Sequence, residues 1–117
     1  MNAREVARLL SAQVLVGANR LDDTPILSAC GADLMSDVLA FVKHDTVLLT
    51  GLTNSHVVRT VEMLDVKCVV FVRGKIPSRE VLDQADEKGV VVMATPDTLY
   101  VACGKLYAAG LPGGRAW

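Results

Sequence analysis

Short apolar runs alternate with amphipathic stretches of helix length along the second half of the chain. The pattern occurs three times, with a loop of Thr, Gly, Pro, Asn or Arg between the two parts, in Val47 to Met63, Val69 to Ala85 and Val90 to Tyr107. The starts recur about every 21 to 22 residues, close to the minimum for a strand and a crossover helix. Such βα units build a parallel sheet. We therefore predict an α/β fold with a mostly parallel sheet of about five strands and helices packed on it.

The first half of the chain shows a weaker pattern of the same kind. Asn2 and Glu5 have the spacing of a capping box, which predicts an N-terminal helix. Short β-rich segments predict strands at Val14 to Val16 and Pro25 to Ala29. Apolar residues at helical spacing between Leu34 and Val42 predict a second helix.

Each βα unit offers a capping residue where its helix is expected to begin. Asn54 or Thr53 can cap the first of these helices, and Ser78 can cap the second. In the third unit we expect Thr95 as the cap and Pro96 as the first helical residue, because proline has no amide hydrogen to leave unpaired there.

The last predicted helix, from Pro96 to about Ala109, is apolar nearly all round. A domain this small has few layers with which to cover such a helix, so we expect part of it to contact a second copy of the chain. The expected dimer interface comprises Leu99, Val101, Leu106 and Tyr107. We assign residues 1–110 to the domain and residues 111–117, which contain Pro112, Gly113 and Gly114, to a flexible C-terminal tail.

Composition narrows the class of protein. The chain has 117 residues, 51% of them hydrophobic and 21% charged, with a formal net charge of −1. This balance excludes a disordered chain and gives no general attraction to nucleic acid. Apolar segments are of strand length and shorter than a membrane span, so we expect a cytoplasmic protein without membrane contact. Three dispersed cysteines are interpreted as reduced and buried.

Loops that follow the parallel strands are the best candidates for a binding site. They converge at one edge of such a sheet, where helix N-termini, basic side chains and hydroxyls can together hold an anion. We therefore expect a small phosphorylated or nucleotide-like ligand at this edge. The candidate residues are Thr50, Gly51, Thr53, Asn54, Arg73, Gly74, Lys75, Thr95, Asp97 and Thr98.

The sequence carries no motif of known catalytic chemistry. The chain has neither a P-loop nor a G-x-G-x-x-G motif, and its histidines and cysteines lack the spacing of metal ligands. We therefore expect no catalytic residue, metal or cofactor. A small enzyme that uses Asp97 or His56 stays open, although the sequence brings no base, nucleophile and orienting residue together; Ser55 and His56 are adjacent, but adjacent residues of a helix point in different directions.

Four segments together show a pattern that is known from other proteins: Ile26-Leu27-Ser28-Ala29, Val47-Leu48-Leu49-Thr50-Gly51, Val69 to Gly74 and Thr95-Pro96-Asp97-Thr98. Over about Ala3 to Tyr107 the chain thereby resembles the DRTGG domain family, which is similar to the N-terminal domain of HPr kinase/phosphorylase. Where the family shows Gly-Asp-Arg this chain has Gly51-Leu52-Thr53, and where the family shows Thr-Gly-Gly it has Val72-Arg73-Gly74.

The resemblance implies a regulatory or accessory domain, since members are fused to enzymes such as phosphotransacetylase or CBS-domain pyrophosphatases or stand alone. It implies no catalysis by the domain itself, and it supports a homodimer. Two functions follow as hypotheses. The first is a stand-alone regulatory domain that senses the expected ligand; the second is a non-catalytic interaction module that dimerises and docks on a partner enzyme.

Overall fold

A five-stranded sheet with helices on both faces makes up the part of the chain that the computed structural model describes, residues 1–42 and 45–113. The strands are β1 (Gln13–Val16), β2 (Ser28–Gly31), β3 (Thr46–Thr50), β4 (Cys68–Phe71) and β5 (Val91–Ala94). The helices are α1 (Ala3–Leu9), α2 (Met35–Phe41), α3 (Ser55–Met63), α4 (Arg79–Glu87) and α5 (Leu99–Ala108). A short 3-10 turn, Ala18–Arg20, follows β1.

The sheet has the order β1-β5-β4-β3-β2. Strands β2, β3, β4 and β5 are parallel, and β1 pairs antiparallel with β5. The predicted α/β fold with a mostly parallel sheet is therefore confirmed. Because β3, β4 and β5 are parallel neighbours, the loops that leave them lie at the same edge of the sheet.

Apolar residues on both faces of the strands explain the three-layer arrangement. Every residue of β3, β4 and β5 is buried. On one face Val47, Val70 and Met93 pack under α1 and α5. On the other, Leu48 and Phe71 pack under α2, α3 and α4. Buried parallel strands of this kind carry continuous apolar sequences, which is why they were readily predicted.

Caps fix the starts of several helices. Asn2 and Glu5 form the predicted capping box, in which Asn2 Oδ1 accepts a hydrogen bond from Glu5 N at 3.1 Å. Asn54 caps α3 by accepting from His56 N at 3.0 Å, and Ser78 caps α4 by accepting from Val81 N at 3.3 Å. Each bond satisfies an amide that the first turn leaves without a helical partner.

The predicted start of the last helix is wrong. Helix α5 begins at Leu99, and Thr98 is its cap, with Thr98 Oγ1 accepting from Val101 N at 3.4 Å. Thr95 continues the sheet instead, because its amide donates to Phe71 O at 2.9 Å. Residues 95–98 therefore form a loop, and Pro96 lies within it.

The predicted second strand is displaced along the chain. Strand β2 spans Ser28–Gly31 and not Pro25 to Ala29. The segment before it pairs with the N-terminus, since Pro25 forms a bridge with Asn2 and Ile26 N donates to Met1 O at 2.8 Å. These bonds draw residues 25–26 away from the ladder with β3.

The start of the predicted C-terminal tail contacts the edge of the sheet. Leu111 is buried, and Pro112 O accepts a hydrogen bond from Ala29 N at 3.0 Å. Gly113 forms a parallel bridge with Ala29. Residues 114–117 of that tail lie outside the described residues. None of the helices in residues 1–42 and 45–113 has the length and the apolar sequence of a membrane span.

Candidate functional site

The loops that follow β3, β4 and β5 lie together and form a rim, which we define as residues 50–54, 73–75 and 95–98. Direct hydrogen bonds join the three loops. Arg73 N donates to Asp97 O at 2.8 Å, Gly74 N donates to Thr95 O at 2.8 Å, and Lys75 Nζ donates to Gly51 O at 3.1 Å. The rim is therefore one connected surface, built from residues that are distant in the sequence.

Arg73 is the most prominent cation of the rim. Its side chain is exposed, and Nη2 lies 2.6 Å from the point at which a Cβ on Gly51 would stand. The guanidinium therefore lies over Gly51, in space that the side chain of any other residue at position 51 would occupy. The backbone of Arg73 has φ 59°, a left-handed conformation that residues other than glycine seldom adopt. Such strain is more common at functional sites than elsewhere.

Asp33 also reaches the rim, and the sequence analysis did not identify it. It lies in the connection between β2 and α2, and its Oδ1 accepts from Gly51 N at 2.7 Å and from Thr50 Oγ1 at 3.1 Å. Its approach depends on the parallel pairing of β2 with β3, which places the ends of both strands side by side. No periodicity or motif around Asp33 in the sequence signals this contact.

The buried threonines of the rim serve the fold. Thr50 and Thr95 are both fully buried. Thr50 Oγ1 accepts from Leu52 N at 3.1 Å besides donating to Asp33. Thr95 Oγ1 donates to Leu10 O at 2.9 Å and accepts from Asp97 N at 3.3 Å. The Thr95 hydroxyl therefore bonds to backbone groups alone, whereas the Thr50 hydroxyl donates to an exposed side chain, that of Asp33.

Three other predicted rim residues, Thr53, Asn54 and Asp97, have different surroundings. Thr53 and Asn54 line a cavity of about 360 Å³ between the N-termini of α3 and α4, together with Ser55, Ser78, Glu80 and Val81. Asp97 forms an ion pair with Lys105 of α5, with Nζ 2.7 Å from Oδ2. The charge of the Asp97 carboxylate is thereby balanced by Lys105, and the carboxylate faces α5.

A second concave surface, the α5 groove, lies between α5 and the edge strand β2. It has a volume of about 410 Å³ and is lined by Ala29, Gly31, Tyr100, Val101, Cys103, Gly104, Tyr107, Leu111 and Gly113. Tyr100 and Tyr107 are 88% and 75% exposed. Gly31 brings strand and helix close together, since a Cβ there would stand 2.5 Å from Cys103 Sγ.

The residues of the predicted dimer interface separate into two groups. Val101 and Tyr107 are exposed and line the α5 groove. Leu99 is half-buried and packs against the core, and Leu106 is fully buried within it. The Leu106 side chain does not reach the surface. Tyr100, which the sequence analysis did not name, is exposed and lines the groove beside Val101 and Tyr107.

The surroundings of the three cysteines do not favour a reactive thiolate. Burial raises the pKa of Cys68 to about 12, and burial also raises the pKa values of Cys30 and Cys103. A thiol with a raised pKa is a poor nucleophile because little thiolate is present. In the part of the chain that the structure describes, no three His, Cys, Asp or Glu side chains come together as a metal site.

Comparison with known proteins agrees with this fold. The family model of the DRTGG domain matches residues 5–107. The chain belongs to the DRTGG domain family. Curated proteins give no match.

A solved structure is similar to this DRTGG domain over nearly its whole length. It is the crystal structure of the CBS and DRTGG domains of the regulatory region of Clostridium perfringens pyrophosphatase, complexed with an activator, diadenosine tetraphosphate. The TM-score is 0.71 at 20% sequence identity. The match covers 93% of this chain and 46% of that one, so the present chain spans about half the length of that regulatory region.

Proposed function

We propose that this DRTGG domain is a regulatory domain that senses a small phosphorylated or nucleotide-like ligand at the rim. The observation that carries the proposal is the position of Arg73. Its guanidinium lies at the carboxyl ends of parallel strands, and among the described residues it has no ion-pair partner. Lys75, two residues further on, adds a second positive charge. Arginine and lysine in such a position are well suited to phosphate.

Two further observations support a phosphorylated ligand. The cavity that Thr53 and Asn54 of the rim share with Ser78 and Glu80 lies between the N-termini of α3 and α4, where the helix dipoles favour negative charge and offset the Glu80 carboxylate. The similar C. perfringens regulatory region was crystallised with an activator that contains four phosphates and two adenosines. The similar solved structure is likewise a regulatory region and not a catalytic domain. We accordingly assign this chain no catalytic activity of its own.

A reducing compartment fits the chemistry of the cysteines. Cys30, Cys68 and Cys103 are all free thiols in the structure. Structural disulfides are typical of oxidising compartments, whereas the cysteines of cytoplasmic proteins are kept as thiols. We therefore place the protein in the cytoplasm, where nucleotides and phosphorylated metabolites are also found.

Removal of the two rim cations tests the proposed ligand site. Arg73→Gly deletes the guanidinium and suits the positive φ, so the fold should be retained or slightly stabilised. Lys75→Ala deletes the second charge. Lys67→Ala is the matched control, because Lys67 precedes β4 and lies at the opposite edge of the sheet. Each variant is compared with the unmodified chain by thermal shift against nucleotides, dinucleoside polyphosphates and phosphorylated sugars.

The expected result is a rise in melting temperature with at least one phosphorylated compound. This rise should be lost in Arg73→Gly, reduced in Lys75→Ala and unchanged in Lys67→Ala. Loss of a charge-assisted hydrogen bond to phosphate should weaken binding by roughly 10-fold or more. A ligand that binds the Arg73→Gly variant as tightly as the unmodified protein would show that the rim is not its site.

The α5 groove favours a second function, self-association or docking on a partner enzyme. The groove is apolar and is lined by the exposed rings of Tyr100 and Tyr107. The same surface therefore offers a recess and aromatic side chains that fit the recess of a second copy. Tyr107→Glu should dissociate a dimer in sedimentation experiments. Met63→Glu is the matched control, because Met63 is also 75% exposed but lies on α3. A chain that is monomeric before any substitution contradicts the homodimer.

A further inference from the structure

We propose that Asp33 is the gate of the rim: its carboxylate occupies the place of the ligand's anionic group, and the ligand binds by displacing it. This inference rests on the proposed function and concerns the regulation of that same site. On this proposal the ligand changes the protein by releasing Asp33 from Gly51 and Thr50.

The first argument is the set of donors that Asp33 uses. A single oxygen, Oδ1, accepts from the backbone amide of Gly51 at 2.7 Å and from the hydroxyl of Thr50 at 3.1 Å. A main-chain amide and a hydroxyl at the end of a parallel strand form the kind of cradle that holds phosphate or carboxylate oxygens. In this structure, the oxygen in the cradle comes from the protein itself.

The second argument is the neighbouring guanidinium. Asp33 Oδ1 and Arg73 Nη2 lie 3.4 Å and 2.6 Å from the same point above Gly51, the position of its missing Cβ. The two atoms are thus at most about 6 Å apart, inside the range over which surface charges interact. They do not form an ion pair with each other. A phosphate that binds Arg73 would therefore meet the carboxylate of Asp33 at close range and be repelled by it.

The third argument is that Asp33 can leave without damage to the core. The residue is exposed, and it belongs to a three-residue connection, residues 32–34, between β2 and α2. Leu34, the residue at the start of α2, provides no side-chain cap. The backbone on the sheet side stays anchored, because Ala32 N donates to Leu49 O at 3.0 Å. Displacement of Asp33 would thus alter the entry to α2 and leave the sheet in place.

Asp33→Asn tests the gate, because asparagine keeps an oxygen that can accept both hydrogen bonds but removes the charge. Asp37→Asn is the matched control, since Asp37 is an exposed carboxylate one turn further along, in α2. ATP and inorganic pyrophosphate are titrated into the full 117-residue chain and both variants by calorimetry in magnesium-free buffer. Amide NMR spectra of Gly51 are recorded with and without saturating ATP.

The expected result is that Asp33→Asn binds both probes roughly 3- to 10-fold more tightly than the unmodified chain, because a phosphate bound to Arg73 no longer meets the negative charge of Asp33 at close range. Asp37→Asn should bind them with unchanged affinity. The Gly51 amide resonance of the unmodified chain should shift when ATP saturates it, because its hydrogen-bond acceptor changes from carboxylate to phosphate.

Two results would overturn the gate and leave the proposed function intact. One is equal or weaker binding by Asp33→Asn, which would make Asp33 a neutral or attractive part of the site, such as an acceptor for sugar hydroxyls. The other is a Gly51 resonance that ATP does not move. If neither the unmodified chain nor Asp33→Asn binds either probe, removal of the carboxylate has uncovered no anion site, and both the gate and the binding of these phosphates are refuted.

Discussion

Replacement of Thr95 by valine should destabilise the domain by about 2 kcal/mol, although the two side chains have nearly the same shape. Thr95 is fully buried, and its hydroxyl joins the end of α1 to the rim. It donates to Leu10 O at 2.9 Å and accepts from Asp97 N at 3.3 Å. Valine leaves both backbone groups without this partner, and each lost bond costs about 1 kcal/mol, with more where the orphaned group is buried. The amide of Thr95 keeps its bond in the sheet, so the strand itself should be unaffected.

Urea unfolding at 25 °C measures this free energy of unfolding, and a thermal scan should show a melting temperature lower by roughly 8 °C for a chain of this size. Thr53→Val is the control, since Thr53 is half-buried and its hydroxyl forms no hydrogen bond with the described residues; its change should stay within about 0.5 kcal/mol. A Thr95→Val protein as stable as Thr53→Val would refute the argument. It would mean that the Thr95 hydroxyl contributes nothing to the fold and is available for another role.

Three further outcomes are expected. Gly51→Ala should change stability by less than about 1 kcal/mol, because only the flexible end of Arg73 must move, but it should weaken any rim ligand in calorimetry; a loss of more than about 2 kcal/mol would contradict the geometry. Cys68, with its pKa raised to about 12 by burial, should be alkylated by iodoacetamide at pH 8 only when the chain unfolds, which mass spectrometry detects. Asp22 should titrate below 3.8 by NMR, because the Arg4 hydrogen bond lowers its pKa, and Arg4→Ala should restore the ordinary value. The contribution of that bond to stability is present above the unfolded-state pKa and is lost as the pH falls through the folded-state value.

The architecture could be predicted because its signals are local and repeated. The strands β3, β4 and β5 are buried on both faces, and this constraint appears in the sequence as uninterrupted apolar runs such as Thr46–Thr50. The helices between them follow recognisable caps at Asn54 and Ser78. Once the strands are parallel, the convergence of their loops follows from topology. The position of the rim could therefore be predicted from the sequence.

The details that the sequence did not reveal depend on contacts between distant segments. Thr95 is a residue type that often caps helices. Here its amide donates to Phe71 O in the sheet and its hydroxyl donates to Leu10 O at the end of α1, and Thr98 caps α5 instead. Leu106 and Tyr107 are adjacent apolar residues of one helix, and only the docking of α5 on the sheet decides which is buried. Asp33 contacts Gly51 from another βα connection, and no spacing in the chain records that proximity.

The rim and the α5 groove meet in one short segment, and this bears on how a ligand signal would travel. Gly31 lies so close to Cys103 in the groove that a Cβ would stand 2.5 Å from the sulfur, and Asp33 holds the rim two residues later. A ligand that displaces Asp33 frees one end of this segment, whereas a partner bound in the groove restrains the other end. If the ligand changes the affinity of the groove for its partner, the partner must change the affinity of the rim for its ligand by the same factor, because linkage is reciprocal. Displacement of Asp33 by a ligand and binding of a partner in the α5 groove would then be coupled equilibria. Their coupling could be measured either as a change in ligand affinity or as a change in partner affinity.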